Sequence, residues 1–173
     1  NDFNKYRDVF AMFGLGSSTG IDFPRENTGI KGSTISSDLY LNLAIGQYDT
    51  YTPLQILNYI NTIANNGVRY KLSLAKRNPE VLNQVALDKE YFARIKEGFY
   101  QVVNGGTANN YVDKKYMAAG KTGTAQSYYS KDITTINTTF CSIYIVFQVR
   151  FTPYPVSLSP FLNTAKNTFF IHV

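Results

Sequence analysis

Residues 118–126 read Ala118-Ala119-Gly120-Lys121-Thr122-Gly123-Thr124-Ala125-Gln126, with one lysine, two threonines and two glycines in a run that is otherwise small and uncharged. Small residues let a ligand approach the backbone closely. Two hydroxyls and an ammonium around such a gap make a receptor for an anionic group. Past this stretch the β-branched and aromatic content rises from Ile133 to Val149, which favours strands. A phosphate-binding loop ending in Gly-Lys-Thr would need a glycine five positions before Gly120, where Lys115 stands, and would run directly into a helix. Gly123 and the Thr, Ser and Tyr residues after it suit a strand instead.

Composition sets the outer limits. A chain of 173 residues fits one domain with a real core, and 44% hydrophobic residues with 14 Tyr and 12 Phe make a globular composition. The net charge of +5 comes from scattered lysines and arginines, so it reads as a solvated basic surface and no nucleic-acid partner is expected. Cys141 is the sole cysteine, which excludes an internal disulfide. The sole histidine, His172, argues against a His-based zinc site or a Ser-His-Asp triad, so neither metal nor cofactor is expected. Asn1-Asp2-Phe3-Asn4-Lys5 is no signal peptide, and no apolar run reaches the ~18–20 residues that span a bilayer. The absence of an initiating Met leads us to expect a piece of something larger.

Along the chain, Tyr6 to Phe13 reads as the last turns of a helix with Tyr6, Val9, Phe10 and Phe13 on its apolar side and Gly14 as its stop. Gly14-Leu15-Gly16-Ser17-Ser18-Thr19-Gly20 has one residue too many for a dinucleotide fingerprint, and no strand precedes it. Ile21 to Gly32 is a loop. Thr52-Pro53-Leu54-Gln55 is a strong helix start, with a capping Thr, Pro at the first helical position and Gln completing a capping box. Ile56, Leu57, Ile60, Ile63 and Ala64 follow at helical spacing as a core stripe, and Asn65-Asn66-Gly67 ends the helix. Val68 to Leu74 reads as extended. A second helix is expected from about Lys89 to Val103, capped by Asp88, with Phe92, Ile95, Phe99 and Val102 buried and Asn104-Gly105-Gly106 as its stop. Thr107 to Lys115 is polar and reads as a flexible connection.

Two further patterns bear on chemistry. Ser73-Leu74-Ala75-Lys76 has the Ser-x-x-Lys form that places a lysine one helical turn from a nucleophilic serine. It follows an extended segment and leads into Arg77-Asn78-Pro79, so Ser73 and Lys76 are read as surface residues. Asp88, Glu90 and Glu97 read as solvated helix charges rather than a general acid/base pair.

Several stretches together resemble class B penicillin-binding proteins. These are Phe13-Gly14-Leu15-Gly16 with Thr19-Gly20-Ile21-Asp22-Phe23-Pro24, then Leu43 to Gln55, then Ile63 to Gly67. Glu97-Gly98-Phe99 and Val102-Val103 follow, ahead of Ala119-Gly120-Lys121-Thr122-Gly123-Thr124-Ala125. The order is that of the family, over about Phe13 to Phe140, and Gln47-Tyr48-Asp49-Thr50-Tyr51 resembles the elongation-type enzymes of low-GC Gram-positive bacteria. The resemblance implies an α+β fold, partial and akin to penicillin-binding proteins and serine β-lactamases, with a mostly antiparallel sheet flanked by helices. It implies peptidoglycan stem peptides and β-lactams as ligands and the outer face of the bacterial plasma membrane as the parent protein's location. Cell-wall elongation proteins would be partners.

The implied chemistry is acyl transfer by a serine to the penultimate D-Ala carbonyl of a stem peptide. Lys121 would tune charge and proton transfer, the Thr122 and Thr124 hydroxyls would hold the carboxylate, and Gly123 would leave room. The Thr124 backbone N–H would be an oxyanion-hole donor. No Ser-x-Asn occurs in the sequence, and the nucleophile-bearing N-terminal half of the domain is expected to lie outside it. Residues 1–140 are read as the C-terminal portion of the transpeptidase domain. Residues 141–173, with no glycine and no acid, are read as a divergent, β-prone tail, for which two origins stay open: a frameshift near Phe140 (or a sequencing artefact), and a divergent final strand followed by a tail. Two other readings stay open: a non-catalytic remnant, which is the expected state of this chain taken alone, and a β-lactamase or sensor domain of the same fold.

Overall fold

Thr52 starts a helix because its side chain and that of Gln55 satisfy each other's backbone. Thr52 Oγ1 accepts the Gln55 N–H at 3.3 Å, and Gln55 Oε1 accepts the Thr52 N–H at 3.0 Å. Pro53 occupies the first helical position, where its missing N–H costs nothing. The computed structural model describes residues 2–34, 36–75, 77–109, 118–125, 141–148 and 168–170, with the backbone alone at 123–125, 141–148 and 168–170. The elements are α1 (Asp2–Met12), α2 (Ser37–Ala44), α3 (Pro53–Ala64), β1 (Val68–Tyr70), β2 (Val81–Gln84), α4 (Lys89–Asn104), β3 (Ala118–Ala125), β4 (Cys141–Gln148) and β5 (Thr168–Phe170). They fall into two compact units, Asn1–Ile95 and Lys96–Val173. This is the expected α+β class with a mostly antiparallel sheet.

In the first unit the helix expected at Tyr6–Phe13 starts earlier, at Asp2, and Gly14 stops it with φ +100. A side chain at Gly14 would place its Cβ 2.6 Å from Asn58 Oδ1, so the position needs glycine for space as well as for conformation. Val9 proves exposed, and Phe3 is the buried aromatic of α1, edge-on to Tyr40 and Tyr48. The α3 stripe is half right. Ile60 and Ile63 are buried, but so are Gln55, Asn58, Asn61 and Thr62. Gly67, at φ +90, closes α3 by donating to the Thr62 carbonyl at 2.8 Å. The extended stretch after it is β1 alone, paired antiparallel with β2, and α2 and β2 were not anticipated.

Polar residues line α3 because a guanidinium is buried beside them. Arg69 is 7% exposed, donates from Nε to Asn58 Oδ1 at 2.7 Å and from Nη1 to Asn83 Oδ1 at 3.2 Å, and gives its Nη2 to the Ser18 carbonyl. Asn58 Nδ2 donates to the Tyr70 carbonyl at 2.7 Å, and Asn83 Nδ2 to the Met12 carbonyl at 2.9 Å. Gln55 Nε2 takes the Ser17 carbonyl at 2.9 Å. Burial lowers the Arg69 pKa, and the Glu26 charge opposes that shift. Burial alone would raise the Glu26 carboxyl. Hydrogen bonds from Ser18 and Thr19 side chains and the neighbouring backbone outweigh it and hold Glu26 below its ordinary range.

A second clamp fixes α1 to the loops around it. Arg7 binds Asp49 with two hydrogen bonds, Nε to Oδ2 at 2.8 Å and Nη2 to Oδ1 at 2.7 Å, and Gly32 N–H adds a third to Oδ1 at 2.9 Å. The Arg7 hydrogen bond is the main cause holding the Asp49 carboxyl below its usual range, against the pull of burial.

In the second unit, Val103, Ala108 and Ala118 form a small core with Val102 against it. β3 pairs antiparallel with β4 over all eight residues, from Ala118 opposite Gln148 to Ala125 opposite Cys141, and β5 adds parallel to β4. The rest of the strand-prone stretch, 133–140 and 149, lies outside the described residues.

Two measurements test this account. Asn58→Ala strips Arg69 Nε of its acceptor, and is expected to lower stability by about 2–3 kcal/mol in urea with an unchanged denaturant slope. The depressed Asp49 pKa means its contribution is complete above the unfolded carboxylate value of about 3.9 and fades as pH falls through the lower folded value. Asp49→Asn is expected to destabilise the chain by about 1.5–3 kcal/mol at pH 7. The gap between variant and parent should narrow in acid, as thermal melts across pH 2–7 would record.

Candidate active site

β3 passes from a buried start to an accessible middle. Ala118 and Ala119 are fully buried and Gly120 is buried with them, whereas Lys121 is exposed and Thr122 half-buried. Small side chains are what permit that buried start, since Ala118 packs into the core made by Val103 and Ala108. Asn104, the last residue of α4, ties it down: its Nδ2 donates to the Tyr100 carbonyl at 2.9 Å and to the Ala118 carbonyl at 3.0 Å. The strand therefore emerges at the lysine.

Lys121 Nζ folds back to donate to the Thr122 carbonyl at 2.6 Å. Thr122 Oγ1 lies 3.4 Å from Thr107 Oγ1. Gly123 is opposite Ile143 and Thr124 opposite Ser142 in the β3–β4 register. The strand order β3-β4-β5 leaves β3 at an edge, with β4 on one side and no strand on the other among the described residues. An edge strand presents alternate N–H and C=O groups that a ligand can pair with. Lys121, Thr122, Gly123 and Thr124 thus share one continuous strand, with an ammonium, a hydroxyl and edge backbone groups within a few residues.

The competing patterns fare as their surroundings dictate. Ser73 lies on irregular backbone rather than a helix, and its Oγ donates to the Ala75 carbonyl at 2.8 Å. Lys76, its would-be partner, lies outside the described residues. The Gly14–Gly20 loop has its carbonyls drawn inward, Ser17 to Gln55, Ser18 to Arg69 and Thr19 to the Leu72 N–H at 3.1 Å, so it is a structural hub. Asp88, Glu90 and Glu97 are exposed, and Glu97 accepts from Gln101 Nε2 at 3.0 Å. Asp88 precedes α4, its carbonyl accepting the Tyr91 N–H at 3.1 Å. Among the described residues, no three His, Cys, Asp or Glu side chains gather where one ion could be held. Two residues of the site escaped the sequence reading. From sequence Asn104 reads only as a helix stop and Thr107 only as the start of a connection. A polar side chain at the last helical turn was the one available signal.

Comparison with known proteins places these features in context. The family described as "Penicillin binding protein transpeptidase domain" matches residues 2–149. The chain is 44% identical over 145 residues to penicillin-binding protein 2A of Bacillus subtilis, covering 73% of this chain and 20% of that one. It is 34% identical over 156 residues to penicillin-binding protein 2B of Streptococcus pneumoniae, covering 78% of this chain and 23% of that one. A solved structure of the latter protein, from strain R6, superposes with a TM-score of 0.67 at 34% identity, covering 75% of this chain and 24% of that one. Another, described as "Structural coordination of polymerization and crosslinking by a peptidoglycan synthase complex", gives a TM-score of 0.63 at 28% identity, covering 73% of this chain and 24% of that one. The chain spans about a fifth of the length of the curated relatives it matches.

The tether between α4 and β3 is open to measurement. Asn104→Ala removes the donor to the Ala118 carbonyl and is expected to cost about 1 kcal/mol. Amide exchange should accelerate at residues 118–122 several-fold while that of α3 stays unchanged.

Proposed function

The chain belongs to the penicillin-binding-protein transpeptidase family, in its class B branch, and from that premise we propose that it forms part of a D,D-transpeptidase that cross-links peptidoglycan stem peptides through an acyl-serine intermediate. The observation that carries the reading is Lys121-Thr122 emerging from a buried strand start on a strand that, among the described residues, is an edge, inside a family match that runs through it. A serine contributed from outside residues 1–173 attacks the penultimate D-Ala carbonyl. The terminal D-Ala leaves as its amine, and an amine of a second stem then resolves the ester. β-Lactams acylate the same serine.

In this proposal each strand residue has one task. Lys121 supplies positive charge beside the serine and eases proton transfer. The Thr122 and Thr124 hydroxyls receive the carboxylate of substrate or β-lactam, in charge-assisted hydrogen bonds that are stronger than neutral ones. Gly123 keeps that edge open. The Thr124 N–H donates to the carbonyl oxygen as negative charge develops on it, and loss of one such donor typically costs about 2.7–4 kcal/mol. The edge position that β3 has among the described residues supports this last role, because a strand paired on both sides has no N–H to spare.

We further propose that the parent protein works at the outer face of the bacterial plasma membrane, alongside cell-wall elongation proteins. Among the described residues, no helix is long and apolar enough to cross a membrane. For residues 141–173 the proposal is a change of reading frame near Phe140, supported by a stretch with no glycine and no acidic residue. The absence of Ser-x-Asn supports a non-catalytic role for the 173-residue chain by itself.

Fluorescent penicillin separates these statements. The 173-residue chain is expected to take no covalent label. A chimera joining residues 2–149 to the segment that precedes the match in penicillin-binding protein 2A is expected to label. Lys121→Ala in that chimera should slow labelling by two orders of magnitude or more. Covalent labelling of the 173-residue chain would contradict the placement of the nucleophile.

A further inference from the structure

α2 has only eight residues, Ser37–Ala44, and a helix that short is marginal in water unless tertiary packing holds it. One side of it has that packing. Leu43 is fully buried, and Tyr40 meets Phe3 and Tyr6 of α1 edge-on, with ring centroids 5.5 and 5.0 Å apart. The adjoining side is bare among the described residues. Leu41 is 67% exposed, Ile45 at the C-cap is 74% exposed, and Ala44 beside them is exposed as well. Spacings of three and four residues put these side chains on one flank of the helix. Gly46 extends the opening, since a Cβ added there meets no atom within 4 Å. A lone exposed leucine is ordinary, but a leucine and an isoleucine one turn apart make an apolar strip that burial would stabilise.

Chain connectivity says what lies nearest to that strip. Phe3, the second residue of α1, touches Tyr40 of α2 and also Tyr48 just beyond it, at 5.5 and 5.7 Å between ring centroids. Polypeptide joined ahead of Asp2 therefore starts beside α2, and at about 3.3–3.6 Å per extended residue a few residues reach across it. The family match begins at residue 2, and this chain accounts for 20% of penicillin-binding protein 2A, so most of that relative lies outside the matched stretch. A tethered segment also reaches an effective concentration on the order of millimolar, which a second copy in solution does not. Three side chains fall far short of the roughly 800 Å² per partner that a stable dimer buries.

We propose that Leu41, Ala44 and Ile45 form a docking strip for the segment of the transpeptidase domain that precedes residue 2 in the parent protein, which lays apolar side chains on the open flank of α2. This rests on the reading of the chain as part of a transpeptidase domain completed from outside residues 1–173, and it adds a surface through which the two parts join. In the completed domain α2 is packed on both sides rather than one.

The test compares the 173-residue chain with the chimera that joins residues 2–149 to the segment preceding the match in penicillin-binding protein 2A. Leu41→Gln/Ile45→Gln removes the apolar strip while keeping good helix formers. In the 173-residue chain this double variant is expected to leave Tm within about 1 °C, as exposed substitutions do. In the chimera it should lower Tm by about 5 °C or more and strip the α2 amides of their protection from exchange. Leu41→Met/Ile45→Leu, apolar at both positions, should melt within about 2 °C of the parent chimera. A glutamine chimera that fails to fold while the Met/Leu chimera folds is the same result in stronger form. An equal fall in both proteins, or an unchanged chimera Tm, would overturn the proposal. So would a concentration-dependent dimer of the 173-residue chain that the glutamines abolish, because the strip would then belong to a second copy. Fluorescent penicillin reports on the transpeptidase reading separately. A parent chimera that takes no label yet loses Tm with the glutamines keeps the strip and contradicts the assignment of β3. One that labels fully and melts unchanged with the glutamines overturns the strip alone.

Discussion

Arg69 is a buried guanidinium that, among the described residues, has no carboxylate in hydrogen-bond contact, and the first ninety-five residues are arranged around that fact. A buried cation must be given acceptors or it destabilises the fold. Arg69 collects three, from α3 through Asn58, from β2 through Asn83 and from the loop after α1 through the Ser18 carbonyl. Each acceptor then fixes something else. Asn58 passes a hydrogen bond to Tyr70, and Asn83 caps the end of α1 at Met12. The space left between α1 and Asn58 admits only glycine at position 14. Glu26 supplies the balancing charge at longer range while being held by Ser18 and Thr19. A helix, two strands and a loop thus share one electrostatic requirement.

That arrangement explains which parts of the fold could be read from sequence. The start of α3 was legible because Thr52, Pro53 and Gln55 satisfy one another locally, with no need of distant residues. The α4 stripe was legible for a related reason, since Phe92 and Phe99 recur at helical spacing and both are buried. The buried polar face of α3 was not. Asn58 and Thr62 look like solvent-facing residues until Arg69 is known to lie inside, and that is a contact between segments 11 residues apart in sequence. Val9 shows the converse failure: helical periodicity placed it in the core, yet Phe3 from an earlier turn fills that role. β2, three of whose four residues are exposed, has too little alternation to announce itself.

The candidate site follows the same division. Lys121 and Thr122 stand out in the sequence because their chemistry and spacing lie in one short stretch, and what the structure adds is that this stretch is a single strand. Asn104 and Thr107 do not, because each acts on β3 across 14 and 15 residues of chain through a side-chain contact that no periodicity reports. Together they give the strand two kinds of support. Asn104 and the Val103–Ala108–Ala118 core anchor its buried start, and the Thr107 hydroxyl meets its exposed middle. A rigid beginning and an open edge are what a strand needs if its backbone is to stabilise charge that appears only during reaction.

The most direct measurement is a crystal structure of the penicilloyl adduct formed on a transpeptidase domain completed around residues 2–149. The expected result places the acyl carbonyl oxygen about 2.7–3.1 Å from the Thr124 backbone nitrogen, with the penicilloyl carboxylate on the Thr122 hydroxyl. An adduct on a serine remote from β3, or one whose carbonyl oxygen turns away from the strand edge, would contradict the assignment of β3 as a wall of the site.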